Sequence, residues 1–255
     1  MRPSPAAWTV GLLFLGLLLT PLAGFAVSLP GPHWHDFPAR AAGPLGTSLA
    51  ATALALAVIA ALGTPLAWIM SRATGRWAPV LELLLLFPLL MPPLVVGLLL
   101  AVLLGPASPL GAALAGVGLP PMGSLGALVL AEVYEAAPYY VLTAQAAFAQ
   151  VDPALEEAWL TLGRPPRRVL TTVSLPAAAP GLWAAFTLAL ARALGAFGAA
   201  IVVAYHPQGL PVAIWLTLEE VGLGSALPMA LLLVFVALPL PMLVRPRLRH
   251  ASVRA

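Results

Sequence analysis

The chain has 255 residues, of which 61% are hydrophobic and only 8% are charged, and its formal net charge is +3. A mean hydropathy of +0.99 lies far outside the range of water-soluble proteins, so lipid must be the solvent for much of the chain. There is no Cys, which excludes disulfide bonds and thiolate metal sites, and all twelve basic residues are Arg.

Six apolar segments are long enough to cross the hydrocarbon layer, which takes about 20 residues as a helix. They cover approximately residues 8–29, 47–70, 80–104, 124–148, 180–203 and 226–244. The first segment could instead be a secretory signal, but its apolar length favours a retained anchor. Short loops marked by Pro, Gly and charge separate the segments. We therefore predict one all-α transmembrane domain over residues 1–255, with about six spans.

Prolines are predicted to break two of these segments. Pro88, Pro92 and Pro93 lie in the third, and Pro138 lies in the fourth. Because proline lacks an N–H group and collides with the preceding turn, we expect both spans to break.

Arginine positions predict the orientation, because cytoplasmic loops of membrane proteins carry an excess of positive charge. The opposite side would hold only Arg40, and Arg192 falls inside the fifth segment. We therefore predict a multi-pass membrane protein with both termini in the cytoplasm. The arginines do not cluster on one face, which argues against a nucleic-acid partner. Ten arginines would lie on the cytoplasmic side: Arg2, Arg72, Arg76, Arg164, Arg167, Arg168, Arg245, Arg247, Arg249 and Arg254.

The most polar passage of the chain lies in the predicted cytoplasmic loop 149–179. Asp152 followed by Pro153 is typical of a helix start, with Asp as the N-cap and Pro in the first turn. Leu155, Trp159 and Leu162 recur at helical spacing and would form one apolar face. The passage is therefore predicted to be a short amphipathic helix.

The predicted helix also has a defined end. Gly163 suits a left-handed C-cap, and Pro165 with Pro166 prevents the helix from continuing. Glu156 and Glu157 lie early in the helix, where its dipole favours negative charge. By these rules alone the helix is either an interfacial one, with nearby arginines on lipid phosphates, or a docking surface for a cytoplasmic partner.

The order of residues in this loop resembles the signature E-A-A-x3-G-x9-I-x-L-P of permease subunits in binding-protein-dependent ATP-binding-cassette importers. Trp159 replaces the second Ala and Val173 replaces Ile, whereas the other five positions match. In that family the loop is a coupling helix, which sits in a groove of the ATPase subunit. The resemblance implies that the coupling residues are Glu156, Glu157, Ala158, Trp159, Leu162, Gly163, Arg167, Leu175 and Pro176.

Two further stretches extend the resemblance over roughly residues 45–245. Residues 88–111, PLLMPPLVVGLLLAVLLGPASPLG, are similar to the third-span region of molybdate-type and sulfate-type permeases. Residues 189–204, ALARALGAFGAAIVVA, are similar to their A-R-A-L-G-E-F-G-A-T stretch, although Ala196 stands where that family has Glu. The resemblance implies the type I importer-permease fold, a location in the inner membrane of a prokaryotic cell and a tetrahedral oxyanion as substrate. Molybdate or tungstate is favoured, and sulfate or another small solute is the alternative.

The resemblance also implies an assembly of several subunits with separate functions. Two copies of this chain would form the pore, a separate ATPase would bind ATP and Mg, and an external solute-binding protein would deliver the substrate. ATP binding would draw the docked loops together and switch the spans from inward-facing to outward-facing. The chain itself has no G-x-x-x-x-G-K-[ST] loop, no Ser-His-Asp arrangement and no metal-ligand cluster. We therefore predict no catalytic residue, no metal site and no cofactor on this chain.

Three ionisable residues, Glu132, Glu135 and Arg192, are placed at membrane depth, where each costs at least about 2.5–3.5 kcal/mol. At about 1.5 Å per residue they lie at similar depths in the fourth and fifth spans. The two glutamates also share a helix face at i, i+3. We predict that Arg192 pairs with one of the carboxylates, either as a salt bridge between spans or in a pore that attracts an oxyanion.

The segment after Arg192 contains a second set of pore candidates. Gly195 and Gly198 flank Phe197, which predicts either close helix packing at the glycines or a gate with Phe197 as an apolar plug. An ion-coupled secondary transporter is a rival class, because Glu132 and Glu135 could serve as its coupling carboxylates. Such a transporter would have no use for the polar loop, and a membrane enzyme is less favoured still.

Overall fold

The computed structural model describes residues 4–28, 34–75 and 77–237. Within these ranges the regular secondary structure is entirely helical. A π-helical turn, Leu170–Ser174, joins the eighth helix to the ninth. The helices are α1 (Pro5–Ser28), α2 (Phe37–Arg72), α3 (Trp77–Leu90), α4 (Pro93–Leu104), α5 (Pro109–Gly116), α6 (Leu125–Ala149), α7 (Pro153–Thr161), α8 (Pro166–Val169), α9 (Leu175–Leu194), α10 (Gly198–Val203), α11 (Leu210–Glu220) and α12 (Leu223–Ala237).

Four helical stretches in the described ranges are long and apolar enough to cross a membrane. They are α1, α2, α6 and the stretch Pro166–Leu194 that ends with α9. The pair α3 and α4 adds a fifth if the two bent helices count as one span. The predicted all-helical membrane architecture is therefore confirmed. The sixth predicted span is represented by α12, which has 15 residues, and the rest of that span lies outside the described residues.

The core centres on α6, which packs between α2 and α9 and contributes the fully buried Phe148. The hydroxyl groups of Thr64 on α2 and Tyr140 on α6 lie 2.7 Å apart and share a hydrogen bond. A second cluster forms where α4 crosses α10, around Val96 and Val203. By contrast, none of the apolar window of α1 is buried against the described chain.

The proline predictions have opposite outcomes. The third segment breaks between α3 and α4, which are bent by 103°, so that prediction is confirmed at Pro92 and Pro93, whereas Pro88 lies inside α3 without breaking it. The prediction for the fourth segment is wrong, because α6 runs without interruption through Pro138. Pro138 is buried in α6, and a membrane helix tolerates one freed carbonyl where neighbouring helices surround it.

Other boundaries also differ from the prediction. α2 begins at Phe37 rather than at residue 47 and has 36 residues, so it is about 54 Å long. The hydropathy of the sequence predicts only the part of such a helix that lies within a hydrocarbon layer about 30 Å thick. The fifth segment, predicted as one span over 180–203, is two helices separated at Gly195–Phe197. Helices α5 and α11 occupy stretches that were predicted as loops.

Candidate functional site

The loop 149–179 begins with the predicted short helix, α7. Asp152 is the N-cap of α7, and its Oδ1 accepts a hydrogen bond from Ala154 N at 2.9 Å. Pro153 occupies the first helical position, where its missing N–H group has no partner to lose. The predicted N-cap is therefore confirmed.

The end of α7 follows from a single glycine. Gly163 adopts a φ of +74°, a conformation that strains any residue with a Cβ atom. Its N–H donates to Leu160 O at 2.9 Å, and the N–H of Arg164 donates to Trp159 O at 3.3 Å. These two bonds form a Schellman motif, which satisfies the last carbonyl groups of the helix. The predicted left-handed C-cap is therefore confirmed.

Glu156 is the one buried residue of α7, with 8% of its surface exposed. Its carboxylate faces Arg72, the last residue of α2, whose Nε and Nη2 donate to Oε2 and Oε1 at 2.9 Å each. Oε1 also accepts hydrogen bonds from Ser174 Oγ at 2.6 Å and from Trp68 Nε1 at 3.5 Å. We call Glu156, Arg72, Ser174 and Trp68 the Glu156 cluster.

The charge state of this cluster follows from two opposing effects. Burial raises the pKa of the Glu156 carboxyl, but the hydrogen bonds from Arg72 and Ser174 and the charge of Arg72 outweigh it. The pKa of Glu156 therefore lies below its ordinary value of 4.5, and the group is a carboxylate at neutral pH. Arg72 is in turn held by Val151, whose carbonyl accepts a bond from Nη2 at 3.3 Å.

The structure distinguishes two residues that the resemblance treats alike. Sequence analysis listed Glu156 and Glu157 together as coupling residues, whereas the structure turns Glu156 inward and leaves Glu157 exposed. Arg72 was counted only as a cytoplasmic positive charge. The two partners are 84 residues apart, so no local pattern could have paired them.

α7 and its C-cap expose three leucines. Leu155, Leu160 and Leu162 are 52%, 45% and 75% exposed, although Leu162 lies one residue beyond the end of the helix. Trp159 of the predicted apolar face is half-buried. About half or more of each leucine is exposed, so α7 and its C-cap present apolar surface. Of the other predicted coupling residues, Ala158, Gly163, Arg167 and Pro176 are exposed and Leu175 is half-buried.

A second candidate site lies where α6, α9 and α10 meet. Arg192 Nη2 lies 2.9 Å from Glu135 Oε2, so the predicted pairing of Arg192 with a glutamate is confirmed as an ion pair, although Oε2 accepts no well-aligned hydrogen bond among the described residues. The other oxygen of Glu135, Oε1, accepts a hydrogen bond from Ala199 N at 3.1 Å in the first turn of α10. The guanidinium of Arg192 also lies 5.7 Å from the centre of the Tyr139 ring, within range of a cation–π contact. Glu135 therefore connects three helices.

Glu132, one turn before Glu135, does not join this pair. Its side chain is buried at 3% exposure and points toward α2, where Thr52 is also buried. Glu132 Oε2 and Thr52 Oγ1 have no hydrogen-bond partner among the described residues. The structure thus separates the two glutamates, which sequence analysis had treated as equivalent partners for Arg192.

The segment between α9 and α10 positions the remaining candidates. Gly198 packs directly on α4, because an added Cβ would lie 2.6 Å from Pro93 Cβ. Gly195 is exposed and touches no other helix in this way. Phe197 is half-buried, with its ring centre 5.6 Å from that of Trp215. Ala196 is buried at 3% exposure.

The described chain is thus a bundle of apolar helices with an exposed, doubly capped helix between two of its spans. The chain belongs to the family of binding-protein-dependent transport system inner membrane components, whose sequence pattern matches residues 63–245. It is a multi-pass transport subunit of the inner membrane rather than an enzyme, and the ATPase activity of such systems lies in a separate subunit.

The similarity extends to particular relatives. The chain is 42% identical over 197 residues to the probable molybdenum ABC transporter permease protein of Haloferax volcanii, covering 77% of this chain and 72% of that protein. It is 32% identical over 235 residues to the molybdenum transport system permease protein ModB of Mycobacterium bovis, covering 89% and 87%. The fold is similar to that of a bacterial alginate ABC transporter bound to its periplasmic protein, with a TM-score of 0.71, 17% identity and 93% and 90% coverage.

Proposed function

We propose that this chain is the membrane-spanning pore subunit of an ATP-driven importer of a tetrahedral oxyanion, molybdate or tungstate. The ATP-driven part of this proposal is supported by the structure of α7, a helix that is capped at both ends and that exposes, with its C-cap, Leu155, Leu160 and Leu162. An apolar face rimmed by charged residues is what a protein groove binds. The substrate rests on the similarity to two molybdenum permeases. Tungstate shares the shape and charge of molybdate, and sulfate is the alternative.

We propose the following assembly for the complete importer. Two copies of this chain enclose the pore, each docks one ATPase subunit that holds ATP and Mg, and an external solute-binding protein delivers the oxyanion. Both termini and the loop 149–179 face the cytoplasm, which the distribution of arginines supports. Closure of the ATPase pair draws the two α7 helices together, and the spans then alternate between inward-facing and outward-facing states.

For the pair Glu135–Arg192 we propose a structural role between spans rather than attraction of the oxyanion. The carboxylate offsets the charge of Arg192 at a distance of 2.9 Å, and an anion entering the pore would meet a pair with no net charge. The same carboxylate also holds the first turn of α10. Gate roles for Gly195, Phe197 and Gly198 stay predictions.

The proposal is tested by reconstitution in proteoliposomes. The chain is co-expressed with a candidate ATPase and a candidate solute-binding protein from the same organism, and uptake of molybdate, tungstate and sulfate is measured with and without ATP. We expect ATP-dependent uptake of molybdate and tungstate, and co-purification of the ATPase that is lost when Leu160 and Leu162 are both changed to Ser. Uptake that follows an ion gradient without ATP would indicate a secondary transporter, and uptake of sulfate alone would overturn the substrate assignment.

A further inference from the structure

We propose that the Glu156 cluster transmits the movement of α7 to α2 and α9, with Glu156 as the positioning residue for energy coupling. This inference rests on the proposed function, since it requires an ATPase docked on α7. It goes beyond docking because Glu156 faces away from the exposed surface of the helix.

The first argument is that α7 has few other attachments. Glu156 is its one buried residue, Leu155 and Leu160 are 52% and 45% exposed, and Trp159 is half-buried. Most short helices are fixed to a protein by an apolar face buried in the core. Because no apolar side chain of α7 is buried, the hydrogen bonds of the Glu156 carboxylate are a principal attachment of α7 to the membrane helices.

The second argument is the set of segments that meet at this carboxylate. Arg72 ends α2, and Ser174 directly precedes α9. Arg72 also binds the carbonyl of Val151, which follows the end of α6. A displacement of Glu156 therefore acts on the ends of three long helices at once.

The third argument concerns the stiffness of these contacts. Arg72 binds Glu156 through two nitrogens at 2.9 Å, and Ser174 donates at 2.6 Å. Bidentate bonds between charged groups are stronger and more directional than neutral hydrogen bonds. Since α2 and α6 are themselves joined by the bond between Thr64 and Tyr140, a force applied at Arg72 moves the two helices together.

The proposal is tested in the reconstituted importer with Glu156→Gln, Arg72→Gln and the double variant. We expect each single variant to keep its ATPase subunit but to lose about tenfold in molybdate transported per ATP, the effect of losing one strong charged hydrogen bond. The double variant should lose no more than either single one, because both remove the same link. Arg72→Lys keeps the charge without the bidentate geometry and should be intermediate. Arg168→Gln, an exposed arginine of the same loop, is the matched control.

A distance measurement separates transmission from mere loop stability. The chain has no Cys, so spin labels can be attached to single cysteines at the exposed residues Thr74 and Thr161. In the wild-type background ATP should leave the distance between the labels unchanged, because α7 and the end of α2 move together. With Glu156→Gln, ATP should shift or broaden that distance.

The possible outcomes are distinguishable. Failure of the wild-type chain to bind any ATPase would refute the proposed function itself. Three results, each obtained with normal assembly, would overturn the role of the Glu156 cluster and leave the proposed function intact. They are additive losses in the double variant, wild-type coupling in Glu156→Gln, and the same response of the label distance to ATP in both backgrounds.

Discussion

Replacing Gly198 with Ala tests whether the crossing of α4 and α10 depends on the absence of a side chain. An added Cβ would lie 2.6 Å from Pro93 Cβ and 3.0 Å from the backbone N of Leu94. Carbon atoms pack best at about 3.5–4.0 Å, so α4 would have to move away by about 1 Å. Overpacking of this kind costs about 1–3 kcal/mol. We therefore expect Gly198→Ala to lower the free energy of unfolding by about that amount.

Gly195→Ala is the matched control on the same segment. A Cβ at this position would have the carbonyl oxygen of Ala191 as its nearest atom, at 3.3 Å, and the φ of Gly195 is −89°, which Ala adopts freely. We expect a change within about 0.5 kcal/mol. Both free energies can be measured by unfolding in mixed detergent micelles, followed by the fluorescence of the seven Trp residues. Equal stability of the two variants would refute the contact between α4 and α10.

Three further predictions concern charge and backbone conformation. Glu135→Gln should lower the free energy of unfolding by an amount near the lower end of about 1–3 kcal/mol, because the Arg192 side chain is 30% exposed. Glu135→Leu combined with Arg192→Met should recover part of this loss in the same assay. Gly163→Ala should destabilise α7 by about 1–2 kcal/mol, because φ is +74° at this position. Faster hydrogen exchange of the α7 amides would reveal the loss, and unchanged exchange would contradict it. The pKa of Glu156 is lowered in the folded protein, so its stabilisation is full above pH 4.5 and is lost as the pH falls further. Protection of α7 amides, corrected for intrinsic exchange, should decline there in the wild type but not in Glu156→Gln.

Local sequence patterns predicted the elements whose ends are determined by local chemistry. The fourth span was expected at 124–148 and is Leu125–Ala149, because Ser124 caps its start by accepting a bond from Ala127 N at 3.1 Å. The ends of α7 were predicted for the same reason, from Asp152 and Gly163. In both cases the residues that stop the helix adjoin it in the sequence.

Contacts between distant residues could not be predicted in the same way. Glu156 and Glu157 are adjacent acidic residues of one helix turn, and Glu156 is the buried one because Arg72 and the rest of the Glu156 cluster bind its carboxylate. Likewise, Glu132 and Glu135 share a helix face, and the bond from Ala199 N distinguishes Glu135 as the partner of α10. The continuous helix at Pro138 depends on packing against other helices, which periodicity along one chain does not contain.

The two carboxylates Glu156 and Glu135 together restrain the movement of α9. Ser174, which binds Glu156, precedes α9, and Arg192, which contacts Glu135, lies in its last turn. These two points are about 27 Å apart along a helix, close to the thickness of the hydrocarbon layer.

A tilt of α9 that left α7 behind would break the bond between Ser174 and Glu156, and one that left α6 behind would separate Arg192 from Glu135. Bending at Gly195–Phe197, where the chain is not helical, is restrained as well, since Glu135 also holds the first turn of α10. The movement that preserves all of these contacts is a common tilt of α6 and α9 with α7 attached. Substitutions at Glu156 and at Glu135 should therefore release opposite ends of the same helix.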